Sequence, residues 1–384
     1  MTKNFKSMAI NGFVLASLLI AFFIGQTNRG VKEIFSASKA FENLEIDSIV
    51  VTGGIVKTFS EGKFIAYAKT GVAQGYGGPL QTLALCDSVG NLLSIEVVHD
   101  RETKAYLERL RSKQYFTQFL KKKVNDKFLI GDDLNAVSGA TISSKAIAIA
   151  TRYASRDMAN DCFHLQTPVI ETKWNFSWKE VAMLVIFILA FLSLQFKLKK
   201  LRYLVLGLSF VLTGFIINGS VSIIHFGRLI LGYIPDIKQH FIYWLLLFGN
   251  LLVILFLKKN IYCRAICPFH ATQILLNKFS GVNFKLPPKL GRILIKTPKI
   301  LLWVSLILIL VSKNPSLLSY EPFAMFFSLE GVGIQWYILP VSLIGALLSS
   351  DFFCRYFCPV GACFNLVLSS RQKIANHIKD KKNE

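Results

Sequence analysis

The strongest constraint on this chain is a set of apolar runs without charge. Residues 7–28, 181–196, 203–222, 241–257, 300–312 and 332–350 contain no Asp, Glu, Lys or Arg. Hydrocarbon offers no water to an unpaired amide, so such runs cross it as helices that bond their own backbone. A span needs about 20 residues. Runs 181–196 and 300–312 are short, so Trp174, Trp178, Lys299 and Lys313 are expected at the interface. Lys3 and Lys6 precede the first run, and no small-residue cleavage site follows it. It reads as an uncleaved anchor rather than a signal peptide.

Basic residues orient these runs. Lys and Arg number 44 against 23 Asp and Glu, a net charge of +21. In a polar chain that balance suits nucleic acid. Here 53% of residues are hydrophobic and 17% charged, which excludes disorder and favours basic cytoplasmic loops, with no nucleic-acid partner. Lys197, Lys199, Lys200 and Arg202 fill one loop, nine Lys and Arg lie in 258–299, and Arg371, Lys373, Lys379, Lys381 and Lys382 fill the tail. The intervening loops are poor in them. This predicts six transmembrane helices, both termini inside, in contact with membrane lipid, with about 30–175 outside the cytoplasm.

The outer segment reads as a soluble α/β domain, with strands at 47–56, 64–70 and 92–99 and helices at 106–122 and 142–153. Ser138-Gly139-Ala140-Thr141 opens the last helix. A helix N-terminus presents free N–H groups and a positive dipole end, which suit phosphate. Taken alone, the tetrapeptide is a simple N-cap by Ser138 or Thr141. Two further features accompany it: Gly75-Tyr76-Gly77-Gly78-Pro79-Leu80, a loop suited to approach a flat ligand, and Glu102-Thr103 after the strand ending at His99.

The membrane part carries a duplicated motif. Tyr262-Cys263-Arg264-Ala265-Ile266-Cys267-Pro268 follows the fourth run and Phe353-Cys354-Arg355-Tyr356-Phe357-Cys358-Pro359 follows the sixth. Cysteines at i and i+4 share one helix face, and the Pro ends or kinks the helix at the second Cys. Tyr233-Ile234-Pro235 and Tyr320-Glu321-Pro322 precede the same two runs. That is a parallel internal repeat, whose axis along the membrane normal would gather the four cysteines at the cytoplasmic surface. Four thiolates suit zinc or an iron–sulfur cluster. Cys363 is a candidate extra ligand, and Cys86 with Cys162 form a candidate disulfide in an oxidising compartment. His225, His240 and His270 read as satisfied or interfacial side chains rather than haem ligands. Arg228, Asp236 and Glu321 read as solvated loop residues rather than a quinol pocket.

Together the three outer motifs resemble the FMN-binding domain shared by the NqrC and RnfG subunits and by NosR- and PceC-like membrane flavoproteins. The resemblance implies FMN joined through its phosphate to Thr141 by a flavin transferase. Ser138, Gly139, Ala140, Gly75, Tyr76, Gly77, Gly78, Glu102 and Thr103 would surround it. Two positions depart from that pattern, Asn135 for an acid and Lys104-Ala105 for Pro-Gly. The paired cysteine motifs also occur in the NosR-, NapH- and PceC-like proteins, which implies a redox centre, 4Fe-4S in type, on Cys263, Cys267, Cys354 and Cys358. No C-x₂-C-x₂-C-x₃-C-P run stands in these residues, an arrangement that resembles the PceC-like proteins.

The expected architecture is an anchor (1–29), an extracytoplasmic α+β FMN-binding domain (30–170), an all-α polytopic membrane domain (171–370) and a basic tail (371–384). The expected role is electron transfer between a quinone pool, or a cytoplasmic-side iron–sulfur centre, and an extracytoplasmic reductase or acceptor. The bacterial cytoplasmic membrane is the expected location. The alternative is a membrane redox sensor of the NosR/NirI type.

Overall fold

The computed structural model describes residues 3–24, 46, 48–170, 174, 177–282, 284, 287–316, 320–329 and 333–383, without the side chains of 3–11 and 377–383. Lys285 and Glu330 therefore fall outside the description, as do the side chains of Lys3, Lys6, Lys379, Lys381 and Lys382. The chain divides into two compact units, one of 26–173 with 232–236 and one of the remainder.

The first unit is α+β. Strands β1 (Ser48–Thr52), β2 (Ile55–Ser60), β3 (Lys63–Gln74), β4 (Pro79–Cys86) and β5 (Leu92–His99) form one antiparallel sheet in the order of the chain. The sequence reads 47–56 as one strand. The structure splits it, because Gly53 and Gly54 both take positive φ and turn β1 back on β2. β4 went unread, since its first residue is the Pro79 of the glycine-rich loop. The expected helix at 106–122 is α2 (Lys104–Ser112), a left-handed Gln114 and a 3₁₀ turn at Tyr115–Phe119. The helix expected at 142–153 is α3 (Thr141–Phe163), which covers β3 and β4. Val56, Ala68, Leu83 and Leu85 are fully buried in the sheet, and Ile147, Ala150, Ala154 and Met158 on the helix.

The second unit is helical. The first apolar run is α1 (Lys3–Ile24), packed on the helix of Trp303 through Phe13 against the Trp303 ring and the Trp303 Nε1–H bond to Ser17 Oγ. Next come α4 (Trp178–Gln195), α5 (Lys199–Ser209, continued by a π turn at Phe210–Ile216), the short α6 (Ile223–Ile230) and α7 (Phe241–Leu257). A π turn (Tyr262–Ile266) leads to α8 (Pro268–Ser280). The same order then recurs: α9 (Pro288–Leu294) and α10 (Thr297–Ser312), the short α11 (Phe323–Ser328), α12 (Gln335–Leu348), α13 (Phe352–Tyr356) and α14 (Pro359–Asn383).

Two helical stretches, Trp178–Gln195 and Pro288–Ser312, are long and apolar enough to cross a membrane; Gly12–Ile24, Phe241–Leu257 and Gln335–Leu348 are shorter apolar helices. Only 22% and 28% of the two long windows are buried within the protein, which leaves Val181, Val185, Ile188, Ile300 and Val304 facing outward. An apolar helix with so little burial is not a core helix of a water-soluble domain.

Two cations, Lys259 and Arg371, have partners at helix ends inside this unit. Lys259 Nζ donates to Leu194 O at 3.1 Å and Gln195 Oε1 at 2.9 Å, at the end of α4. Arg371 donates to the Leu255 and Phe256 carbonyls at the end of α7. A cation there satisfies carbonyls that the helix leaves unbonded and meets the negative dipole end.

Candidate functional site

In the first unit the three sequence motifs meet. The Gly75 N–H donates to Gly78 O at 2.8 Å and closes the loop on itself. A Cβ on Gly75 would stand 1.8 Å from Glu102 Oε1, and one on Gly77 would stand 1.8 Å from Arg101 O. The loop therefore sits directly on the Glu102-Thr103 segment, and its bare glycine faces are used by the protein itself. Tyr76 is buried, with its ring edge-on to Tyr106 at 4.9 Å. Glu102 Oε2 accepts from Ser143 Oγ at 2.7 Å, which ties this segment to the first turn of α3. Burial pushes the neighbouring Asp100 carboxyl up from its ordinary value.

The start of α3 differs from a simple cap. Its N-cap residue is Ala140, and no side chain caps it. Thr141 Oγ1 is 3.5 Å from Val137 O, at the limit of a hydrogen bond. Gly139 takes φ +81°, the left-handed region that favours glycine. The turn is braced on three sides. Arg109 Nε donates to Ser138 O at 2.7 Å. The Val137 N–H donates to Ser144 Oγ at 3.1 Å. Gln118 clamps the Asn135 backbone, accepting from its N–H at 2.9 Å and donating to its carbonyl at 3.2 Å. An uncapped helix start, a glycine and a half-buried hydroxyl make a donor set that fits a phosphate. Arg109 is the member of this site that the sequence reading missed; its only signal was a cation one helix after Glu102-Thr103.

In the second unit a cavity of about 300 Å³ is lined by Cys263, Cys267, Cys354 and Cys358 together, with Val221, Asn260, Arg264, His270, Arg355 and Gly361 among its other walls. Both motifs fold alike. The Cys267 N–H donates to Tyr262 O at 2.8 Å and the Cys358 N–H to Phe353 O at 2.9 Å, each reaching back five residues. Pro268 and Pro359 then begin the next helices. So the second cysteine of each pair leaves the helical turn, as a residue before proline does. Asn250 fixes the first motif, its Oδ1 accepting from the Ile261 and Tyr262 N–H groups at 3.0 Å each. Asn250 Nδ2 bonds Asn260 Oδ1, which accepts from the Cys263 N–H.

Gln273 joins the two halves. Its Oε1 accepts from the Phe353 N–H at 2.8 Å, and its Nε2 stands 3.0 Å from Cys354 Sγ. Among the described residues, no three Cys, His, Asp or Glu side chains close on the position of a single metal ion. The four thiols instead stand around a space. Cys363 does not line it and packs near Ile223, Leu302, Ile309 and Ala362. His225 Nδ1 accepts from the Ser222 N–H at 3.0 Å, and His270 Nδ1 lies 3.0 Å from Asp351 Oδ1.

The expectation that Arg228 and Glu321 are solvated is overturned: they are 1% and 2% exposed. Glu321 Oε1 accepts from the Ile223 N–H at 2.8 Å, at the start of α6. Arg228 lies over the Tyr243 ring at 5.4 Å. A loop position in the sequence did not reveal that α6 and α11 carry these loops inward. Asp236 is exposed, as expected.

Comparison with known proteins now separates the two sites by chemistry. Residues 75–156 match the FMN-binding domain family, and residues 241–287 with 337–376 match the 4Fe-4S binding domain family. The chain joins an FMN-binding domain to a 4Fe-4S binding domain. That is the build of a NosR-like flavoprotein, and its cofactors are FMN and a 4Fe-4S cluster. The first match takes in the glycine-rich loop, Arg109 and Thr141; the second takes in all four cavity cysteines. The chain is similar to the regulatory protein NosR of Stutzerimonas stutzeri, 23% identical over 226 residues. The match covers 53% of this chain and 30% of that one, so this chain spans less than a third of its relative's length.

Proposed function

We propose that the chain is a membrane flavoprotein that moves electrons between a quinone pool, or the cluster at a cytoplasmic face, and an acceptor on the other side. The observation that carries this reading is the cavity shared by four cysteines from two distant motifs, in an apolar helical unit joined to an FMN-binding domain. Bound FMN supplies one- and two-electron chemistry and the cluster supplies one-electron chemistry. The chain's own work is placement.

In this reading Cys263, Cys267, Cys354 and Cys358 hold the cluster, and Asn250, Asn260 and Gln273 hold the cysteines. Thr141 offers the hydroxyl for a phosphoester made by a separate flavin transferase. Ser138, Gly139 and Ala140 keep the backbone close to it, while Glu102 fixes α3 through Ser143. The Lys and Arg distribution supports a cytoplasmic position for both termini and an outer position for the FMN domain.

The test is the protein purified anaerobically from membranes after co-expression with a flavin transferase and Mg²⁺. Expected are iron and sulfide near four per chain, an EPR signal on reduction, and a fluorescent flavin band on a denaturing gel that Thr141→Ala abolishes. Zinc in place of iron, or wild-type protein without the band, overturns the corresponding half. A regulatory reading is favoured by one observation, the likeness to a regulatory protein. It predicts normal cofactors but no electron exchange with quinol analogues.

A further inference from the structure

We propose that the mouth of the four-cysteine cavity is the docking face for a small acidic electron-carrier protein, held by Arg264 and Arg355. This rests on the reading that the cysteines hold a cluster, and it names a partner that the cysteine pattern alone does not contain.

The cavity is unevenly covered. Cys267 and Cys358, the second cysteine of each pair, are buried, at 7% and 6% exposure, whereas Cys263 and Cys354 are half-buried. The residue after each half-buried cysteine is an arginine. Arg264 and Arg355 both line the cavity and both are exposed. The internal repeat thus sets one guanidinium from each half at the same rim. Arg202 joins them from the start of α5, its Nε–H donating to the Arg264 carbonyl at 3.0 Å. Arg355 lies over the Tyr356 ring at 5.4 Å. Asp351 is the one acid among the cavity's described walls, and it stands 3.0 Å from His270 Nδ1. Three cations therefore share the rim with one acid that already has a partner.

A guanidinium keeps its charge at every working pH, so this rim stays positive. A surface of one sign steers a partner of the other sign and fixes its orientation. With a cluster in the cavity, what remains at the rim is a charged surface rather than a pocket. That suits a macromolecule with acidic side chains better than a small anion. The half-buried cysteines put the shortest approach to the cluster at the same place. A reduced carrier docked there gives up one electron, which the cluster gains; no bond forms or breaks and no proton moves.

The competing role is structural: each arginine ends a helical turn, where a cation meets the negative end of the dipole and helps to orient the chain in the membrane. That role needs no partner. The test uses the full chain in nanodiscs of phosphatidylcholine, which has no net charge. It is titrated with an acidic flavodoxin and with basic cytochrome c, binding is read by surface plasmon resonance, and iron is assayed in each sample. Flavodoxin should bind, cytochrome c should not, and added salt should weaken the binding. Arg264→Gln combined with Arg355→Gln should weaken flavodoxin about 10-fold, flatten the salt dependence and leave iron unchanged. Lysine at both positions should keep most of the binding. Lys179→Gln, at the other end of α4, should leave it unchanged. Flavodoxin with its surface carboxylates amidated should lose binding to the unaltered protein, a check that needs no variant.

Equal binding of both carriers overturns the proposal. So does iron-loaded protein that ignores flavodoxin, undiminished binding in the double glutamine variant, or undiminished binding of amidated flavodoxin. Salt-sensitive flavodoxin binding by wild-type protein that holds no iron keeps the docking face and defeats the cluster reading instead.

Discussion

Gly139 is constrained twice, by its left-handed φ of +81° and by Arg109 3.1 Å from where a Cβ would stand. Gly139→Ala should cost roughly 1–2 kcal/mol from the backbone alone. It should also displace Arg109, so that flavin content falls along with the melting temperature of the FMN domain. Cys86 makes a second residue-scale prediction. Burial, followed by the nearby Cys162, pushes its thiol up to about 12. The thiolate is the reactive form, so Cys86 should resist maleimide at pH 8 until the domain unfolds. Rapid labelling of Cys86 in the folded protein would contradict the packing around Met158. At this scale the cysteines, Thr141 and the glycines were legible because each belongs to a short pattern. Arg109 was not, because its role exists only through a carbonyl 29 residues away.

At the scale of elements, the strand at Leu92–His99 and the helix from Thr141 were readable from alternation and from the Ser-Gly-Ala-Thr start. β4 was hidden because glycines and a proline introduce it, and a pairing partner rather than local sequence makes it a strand. The turns that present the cysteines were partly hidden. The proline marked where each turn breaks at its second cysteine; hidden were the bonds that reach five residues back. The first turn depends on Asn250, from the middle of an apolar helix. Asn250→Leu strips the acceptor from two buried N–H groups, and each unpaired group costs about 1–3 kcal/mol. The expected outcome is protein that inserts normally but retains less iron per chain, measured against a neighbouring control such as Leu252→Ala. Full iron content in Asn250→Leu would show that the turn holds without it.

At the scale of the whole molecule, topology is the open expectation, and it belongs to charge rather than to shape. Reporter fusions near residue 174 should be active only with an extracytoplasmic reporter, and fusions at Ser280 and Glu384 only with a cytoplasmic one. A cytoplasmic signal at 174 would reverse the scheme. Cys263→Ser and Cys354→Ser should each remove the same cluster, since one centre needs both halves; two independent partial losses would mean two centres. The repeat itself was legible from the paired motifs. What was not legible is that the halves are already fastened to each other by Gln273, which grips the backbone of Phe353 and reaches the sulfur of Cys354. A clasp whose two jaws are held in register by a pin does not have to find its alignment when it closes. Gln273 therefore couples the two motifs, so that a shift of one is felt by the cysteines of the other.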